Sequence, residues 1–379
     1  MNALDKFFEN LGSSIKKGPF KIVYPMVDAM HTLFISPGHA TSTGPHVRDN
    51  IDMKRFMGTV IVALLPVIFL AMYNVGLQAG ATTTFAAFLI GLKALLPVII
   101  VVYAVGLGWE MIFAHVRGHV INEGFLVTGI LLPLILPPTI PLWQVAVGTT
   151  FGVIIGKEVF GGTGMNLLNP ALTARAFLFF TYPGNISGDS VWVAIDGFTG
   201  ATPLAVAASA SGSAVDALSS AGFAFQDMFL GFIPGSMGET STLAILFGAF
   251  VLVATGVGSW RIMLATIFGA YGMATIISLL SGDQTSGMLS LPAHYHMVMG
   301  GFMFGAIFMT TDPVSAAGTN TGKWIYGILI GVMAILIRTF NPAYPEGMML
   351  AILFGNVFSP LIDHFVIQAN IKRRLNYAK

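Results

Sequence analysis

Long apolar runs alternate with short polar breaks along the chain from residue 56 onward. Runs of about 20 residues with almost no charge are what a bilayer core demands, because no water there can satisfy charges or open backbone groups. Such runs fall near 56–73, 83–116, 142–160, 169–182, 241–258, 262–281, 322–338 and 347–367. Two further apolar segments, 123–141 and 297–311, are interrupted by Pro or Gly and predict broken half-helices. The pattern predicts an all-α polytopic membrane protein of about ten transmembrane helices, five in each half.

Composition agrees. Of 379 residues, 55% are hydrophobic and only 9% charged, against roughly 25% charged in soluble domains; mean hydropathy is +0.79. Cysteine is absent, so the chain cannot by itself ligate an iron–sulfur cluster, attach a c-type haem or form a disulfide. Redox work would need a flavin, a quinone or a His-ligated metal. The net charge of +1 gives no reason to expect nucleic acid.

Basic residues orient the chain. From Ala176 to Trp260 there is no Lys or Arg, whereas Asp189, Asp196, Asp216, Asp227 and Glu239 fall inside. Both termini are basic. The expected organisation is an amphipathic cytoplasmic segment at 1–55, without the apolar core of a signal peptide, and a first membrane repeat at 56–182. A Gly/Ser/Ala-rich periplasmic loop follows at 183–226, then a second membrane repeat at 227–367 and a basic cytoplasmic tail at 368–379. An odd number of spans per half makes the repeats inverted. A faint echo supports this: in each half a broken segment is followed at similar spacing by Asn-Pro-Ala, at 169–171 and 341–343. Paired broken helices point to a midplane binding site; ordinary Pro-kinked packing helices are the other reading.

The sharpest local motif is Asp196-Gly197-Phe198-Thr199-Gly200-Ala201-Thr202-Pro203-Leu204. A threonine hydroxyl is a poor nucleophile, but a transferase can esterify it with a flavin phosphate if it sits on an accessible segment, and Gly200 and Ala201 leave room for that approach. A plain polar turn is the alternative. Four acids, Glu110, Glu158, Asp312 and Asp363, sit where charge is costly. Of these, Glu158 beside Lys157 near a span end reads as interfacial and solvated. Glu110, Asp312 and Asp363 read as ion-path candidates. The broken segment adds bare carbonyls near Val127, Ile130 and Leu134 that suit sodium. Phe304 and Phe308, one turn apart, read equally as a dewetting gate or as core.

The motif resembles the flavinylation site of the NqrB and RnfD family, membrane subunits of the sodium-translocating NADH:quinone oxidoreductases and of the related Rnf complexes. The likeness also runs through HVRDNIDMKRFM (46–57), NEGFLVTGILLPLILPPTIPLWQ (122–144), GKEVFGGTGMNLLNPAL (156–172), RAFLFFTYP (175–183), the TDPVSA run (311–316) and NPAYPEGMMLAILFGN (341–356). Thr199 stands where Ser is usual, and Pro203 after the acceptor is more Rnf-like. The long basic N-terminal extension favours the quinone reductase.

The resemblance implies FMN on Thr202 through a phosphoester and a non-covalent riboflavin against Asn166, Asn169 and Asp312. Asn166 and Asn169 are i, i+3 and would share a helix face, with amides suited to a pyrimidinedione edge; a helix N-cap is the competing role for Asn169. It also implies a quinone site around Gly106, Trp109 and Glu110, although the family's Gly-Gly pair reads Gly106-Leu107 here. The implied activity is electron relay from FMN through riboflavin to ubiquinone, coupled to sodium transport. The implied partners are the other members of a six-subunit complex in a bacterial inner membrane (an NADH/FAD/Fe–S subunit, a second FMN subunit and Fe–S membrane subunits) and a flavin transferase. An RnfD-type protein and a passive solute channel of the same fold remain as alternatives.

Several other motifs carry little. Gly318 to Trp324 is one residue short of a P-loop and lacks its Ser/Thr, and Gly161-Gly162-Thr163-Gly164 reads as a close-packing turn. The pairs His115/His119 and His294/His296 lie at expected membrane edges and read as solvated, so no resident metal site is expected.

Overall fold

The computed structural model describes residues 13, 44, 53–118, 124–188, 191–193, 201–281, 287–341 and 344–377. Most of the N-terminal segment, Asp189, residues 196–200 of the threonine motif, His119 and the second Pro-Ala (342–343) lie outside these residues.

The first half contributes α1 (Met53–Gln78), α2 (Thr84–Arg117), α3 (Gly124–Leu134), α4 (Leu142–Ile154) and α5 (Pro170–Thr181). After a single helical turn at Pro183–Ile186 come three more short helices, α6 (Pro203–Ser209), α7 (Ala214–Ser220) and α8 (Phe225–Leu230). The second half contributes α9 (Thr242–Ala254), α10 (Trp260–Ser281), the short α11 (Ala293–Val298), α12 (Phe302–Phe304), α13 (Asn320–Phe340) and α14 (Met348–Tyr377); α12 continues into a π-turn at Gly305–Met309. Among the described residues five helices are long and apolar enough to cross a membrane. The other expected spans are shorter, and the broken run at 123–141 is helical only to Leu134.

Local chemistry sets the ends. Thr83 caps α2 by accepting from the Ala86 N–H, and Gly118, at φ +70°, closes it. At 34 residues α2 is the longest helix among the described residues, on the order of 51 Å. Asn169 caps α5, with Pro170 in the first turn where its missing N–H costs nothing. After α3 the Pro137-Pro138 pair removes helix donors. The second half supplies replacements: the N–H of Gly238 reaches the Leu134 carbonyl at 2.6 Å, and that of Met237 reaches Leu136 at 3.2 Å.

The two halves share a neighbour pattern. α2 packs on α4 and α10 on α13; α4 packs on α5 and α13 on α14; α3 and the α12/π segment each touch the first, second and fifth elements of their own half. Across the halves, α1 meets α9 and α5 meets α14, first with first and fifth with fifth. Close approach needs glycine at the α10–α13 seam, where a side chain on Gly331 or Gly269 would run into backbone of the facing helix. A continuous apolar core joins both halves, and a second, smaller core lies under α6, α7 and α8. The stretch expected to be one loop (183–226) thus carries short helices over its own core.

Candidate functional site

Two cavities stand at opposite ends of α5. The first, about 740 Å³, is lined by Asn169 and Pro170 at its start; the second, about 770 Å³, is lined by Phe179 near its end. The 12 residues of α5 make that separation on the order of 18 Å.

The first cavity gathers Asn166, Asn169 and Asp312, with Val127 and Phe308 in its wall. Asp312 closes its own turn: one carboxylate oxygen accepts from the Val314 N–H at 3.3 Å and the other from Ser315 Oγ at 2.7 Å. Asn169 accepts through Oδ1 from the N–H groups of Ala171 and Leu172; this cap leaves its amide donors out. Asn166 lies before the helix, in a turn where its Nδ2 donates to the Leu168 carbonyl at 3.0 Å. The two asparagines therefore share a cavity but not a helix face, because Pro170 starts the helix only after Asn169. Asn356 of α14, fully buried, ties this corner to the other half: one end of its amide lies 2.7 Å from Tyr326 Oη and the other 3.2 Å from the Asn169 backbone nitrogen. The lining thus combines apolar side chains with two amides and a carboxylate.

The second cavity has Thr202 and Pro203 on its wall, with Trp192, Phe179 and Tyr344 as aromatic surfaces. Thr202 is half-buried and not on an open strand. It caps α6, accepting from the Ala205 N–H at 3.2 Å, because Pro203 presets the first turn. Against the same cavity stands a cluster that sequence reading missed. Arg175 of α5 forks to Glu239 Oε1 at 2.9 Å and to both oxygens of Glu346 at 2.7 and 2.8 Å. Tyr344 Oη donates to Glu346 at 3.1 Å. Arg175 and Glu239 are only 3% and 7% exposed. A lone arginine in the apolar run RAFLFF was the available signal.

Other expected residues fall elsewhere. Around the expected quinone site, a side chain on Gly106 would strike the Phe125 ring, Trp109 Nε1 donates to Thr150 at 3.0 Å, and Glu110 accepts from Lys157. Lys157 and Glu158 are buried, not solvated, because the length of α2 carries Glu110 and Arg117 alongside them. The Leu134 carbonyl is not bare, since Gly238 donates to it; Val127 and Ile130 sit within the turns of α3. Asp363 accepts from the N–H groups of Gly318 and Thr319 and from Thr319 Oγ1, at the start of α13. Phe304 and Phe308 are in ring contact at 5.2 Å within the buried π-turn segment. His296 is buried rather than solvated, with the Arg338 guanidinium donating to its carbonyl; His115 and His294 are exposed.

Residues 40–372 match the family described as NQR2, RnfD, RnfE. The NqrB protein of the Na(+)-translocating NADH-quinone reductase from Chromohalobacter salexigens is 51% identical over 400 aligned positions, covering 99% of this chain and 95% of that protein. The proteins of the same name from Ectopseudomonas mendocina (51%) and Azotobacter vinelandii (50%) each align over 98% of both chains.

Proposed function

Because this chain belongs to the NQR2, RnfD, RnfE family, we propose that it is the flavin-bearing membrane subunit of a sodium-translocating NADH:quinone reductase. The observation that carries this reading is the full-length identity of about half with relatives named as the NqrB component of that enzyme. On this reading Thr202 bears FMN through a phosphoester, and a riboflavin occupies the first cavity. A flavin supplies stepwise one- and two-electron transfer.

The chain's own residues would then divide the work. Thr202 tethers, and Trp192, Phe179 and Tyr344 offer aromatic faces that exclude water from the second cavity. In the first cavity Asn166, Asn169 and Asp312 orient a polar ring edge by hydrogen bonding. Lys157 places positive charge beside that edge. Glu110, Asp312 and Asp363 offer oxygens to sodium on its way, with Phe304 and Phe308 closing the apolar stretch. Gly106, Trp109 and Glu110 mark the ubiquinone side. NADH oxidation and iron–sulfur chemistry come from partner subunits, since this chain has no cysteine.

The proposed setting is a bacterial inner membrane, with both termini cytoplasmic and residues 183–226 periplasmic. That arrangement sets the two cavities toward opposite faces, at the two ends of α5. The direct test is in-gel fluorescence of the denatured chain, made with and without a flavin transferase. A fluorescent band that depends on the transferase is expected. Its absence would favour a solute channel of the same fold.

A further inference from the structure

The polarity of Asn169 in the first cavity is set by its own helix. Its Oδ1 is occupied by the N–H groups of Ala171 and Leu172, so the group left to the cavity is Nδ2, a donor. The main chain of the same residue is held from the other half of the molecule. Its N–H precedes α5 and lies outside the helix's hydrogen-bond ladder.

The hold comes from Asn356 on α14 and Tyr326 on α13, each 0% exposed. A buried amide is costly unless its groups are bonded. Asn356 lies 3.2 Å from the Asn169 backbone nitrogen and 2.7 Å from Tyr326 Oη. Opposite an N–H only the oxygen end of an amide can bond; its NH₂ then faces Tyr326 Oη and, at 3.3 Å, the Ile352 carbonyl. Gly355 makes room for the tyrosine, since a side chain there would stand 3.2 Å from its ring. Tyr326 is also within electrostatic range of Asp312, the carboxylate that lines the cavity.

We propose that Asn356 and Tyr326 are positioning residues for the first cavity. Neither is among the residues that line it. Tyr326 holds Asn356, Asn356 holds the Asn169 main chain, and the cap turns the Asn169 amide so that Nδ2 is offered to a carbonyl of the ligand. The link runs from α13 and α14 to the start of α5, so it also keeps Asn169 of one half in register with Asp312 of the other. This rests on the reading of the first cavity as the non-covalent flavin site.

The test uses the assembled complex with its partner subunits. It reads acid-extractable flavin, with the covalent flavin mass of the same chain as internal reference. Asn356→Leu leaves the Asn169 N–H buried without its acceptor, and extractable flavin should fall roughly fivefold or more while covalent flavin stays. Asn356→Asp, as a neutral carboxylic acid, keeps an oxygen for that N–H and an O–H toward Tyr326; most of the flavin should return. Tyr326→Phe should assemble, melt near the wild type and shift the absorption band of the flavin it retains. Wild-type flavin content in Asn356→Leu, equal loss of both flavins, or no recovery in Asn356→Asp overturns the positioning role. An unmoved band and full content in Tyr326→Phe removes Tyr326 from it. Full extractable flavin in both Asn169→Leu and Asp312→Leu would overturn the cavity reading instead.

Discussion

Asn169 and Asp312 belong to different halves of the chain, yet they line one cavity. Each closes a local turn at the break of its own half, Asn169 as the cap of α5 and Asp312 within the turn after the π-segment. Asn169→Ala should therefore do two things at once. It removes the cap, at about 1 kcal/mol, and it removes an amide from the cavity. Asn169→Ser keeps a cap but not the amide. We expect both variants to lose extractable flavin, and Ser to keep more of the thermal stability. Full flavin in the Ser variant would reduce Asn169 to a cap.

Thr202→Val should abolish covalent flavin, read as the mass of the denatured chain. It also deletes the acceptor for the Ala205 N–H, so α6 should weaken by about 1 kcal/mol. Thr202→Ser should retain both properties in large part. Flavin mass persisting on the Val variant would move the attachment site elsewhere.

Arg175→Met should be the most damaging single change. It leaves Glu239 and Glu346 facing each other without their shared cation, a loss of about 3–5 kcal/mol for a broken buried pair. Arg175→Lys should recover part of it but not the fork. The measurement is yield and melting temperature of the solubilised complex. Equal melting of the Met and wild-type proteins would mean that the cluster is not structurally needed.

Asp363 needs two variants, because it accepts from Gly318 and Thr319 at the head of α13. Asp363→Ala should cost about 1–2 kcal/mol through the uncapped donors. Asp363→Ser keeps an acceptor without the charge. With Ser we expect near-normal melting but a higher sodium concentration for half-maximal quinone reduction. An unmoved sodium titration would take Asp363 out of the ion path.

The chain is free of cysteine, which makes topology simple to probe. Ser211 is exposed, just before α7. Ser211→Cys should react with an impermeant thiol reagent added outside intact cells. Labelling only after lysis would turn the whole arrangement over.

The long spans were legible because a single-helix solution to the bilayer problem is written locally, as a continuous apolar run. The broken elements were legible too, from Pro137-Pro138 and the glycines around Phe302. The convergence of Asn166, Asn169 and Asp312 followed from the family likeness, whereas spacing alone gave the wrong backbone for Asn166. The Arg175 cluster was not legible. Its three charges come from a helix and two distant connecting segments, and Glu239 read only as one acid of the stretch from Ala176 to Trp260 that lacks Lys and Arg. Lys157 and Glu158 misled for a related reason: nearness to a span end says nothing of a neighbouring helix long enough to cover them.

The bonds from Gly238 to Leu134 and from Met237 to Leu136 have a bearing on biogenesis. The first half reaches the lipid phase before the residues that finish its broken end have been synthesised. Until then the carbonyls after α3 lie without those partners, at a depth where open polar groups are costly. The early intermediate is thus held short of its final form, and completion waits on arrival of the segment around residue 238. Severing the chain between the halves should leave the leading fragment dependent on its companion, delivered to the same patch of membrane, to mature.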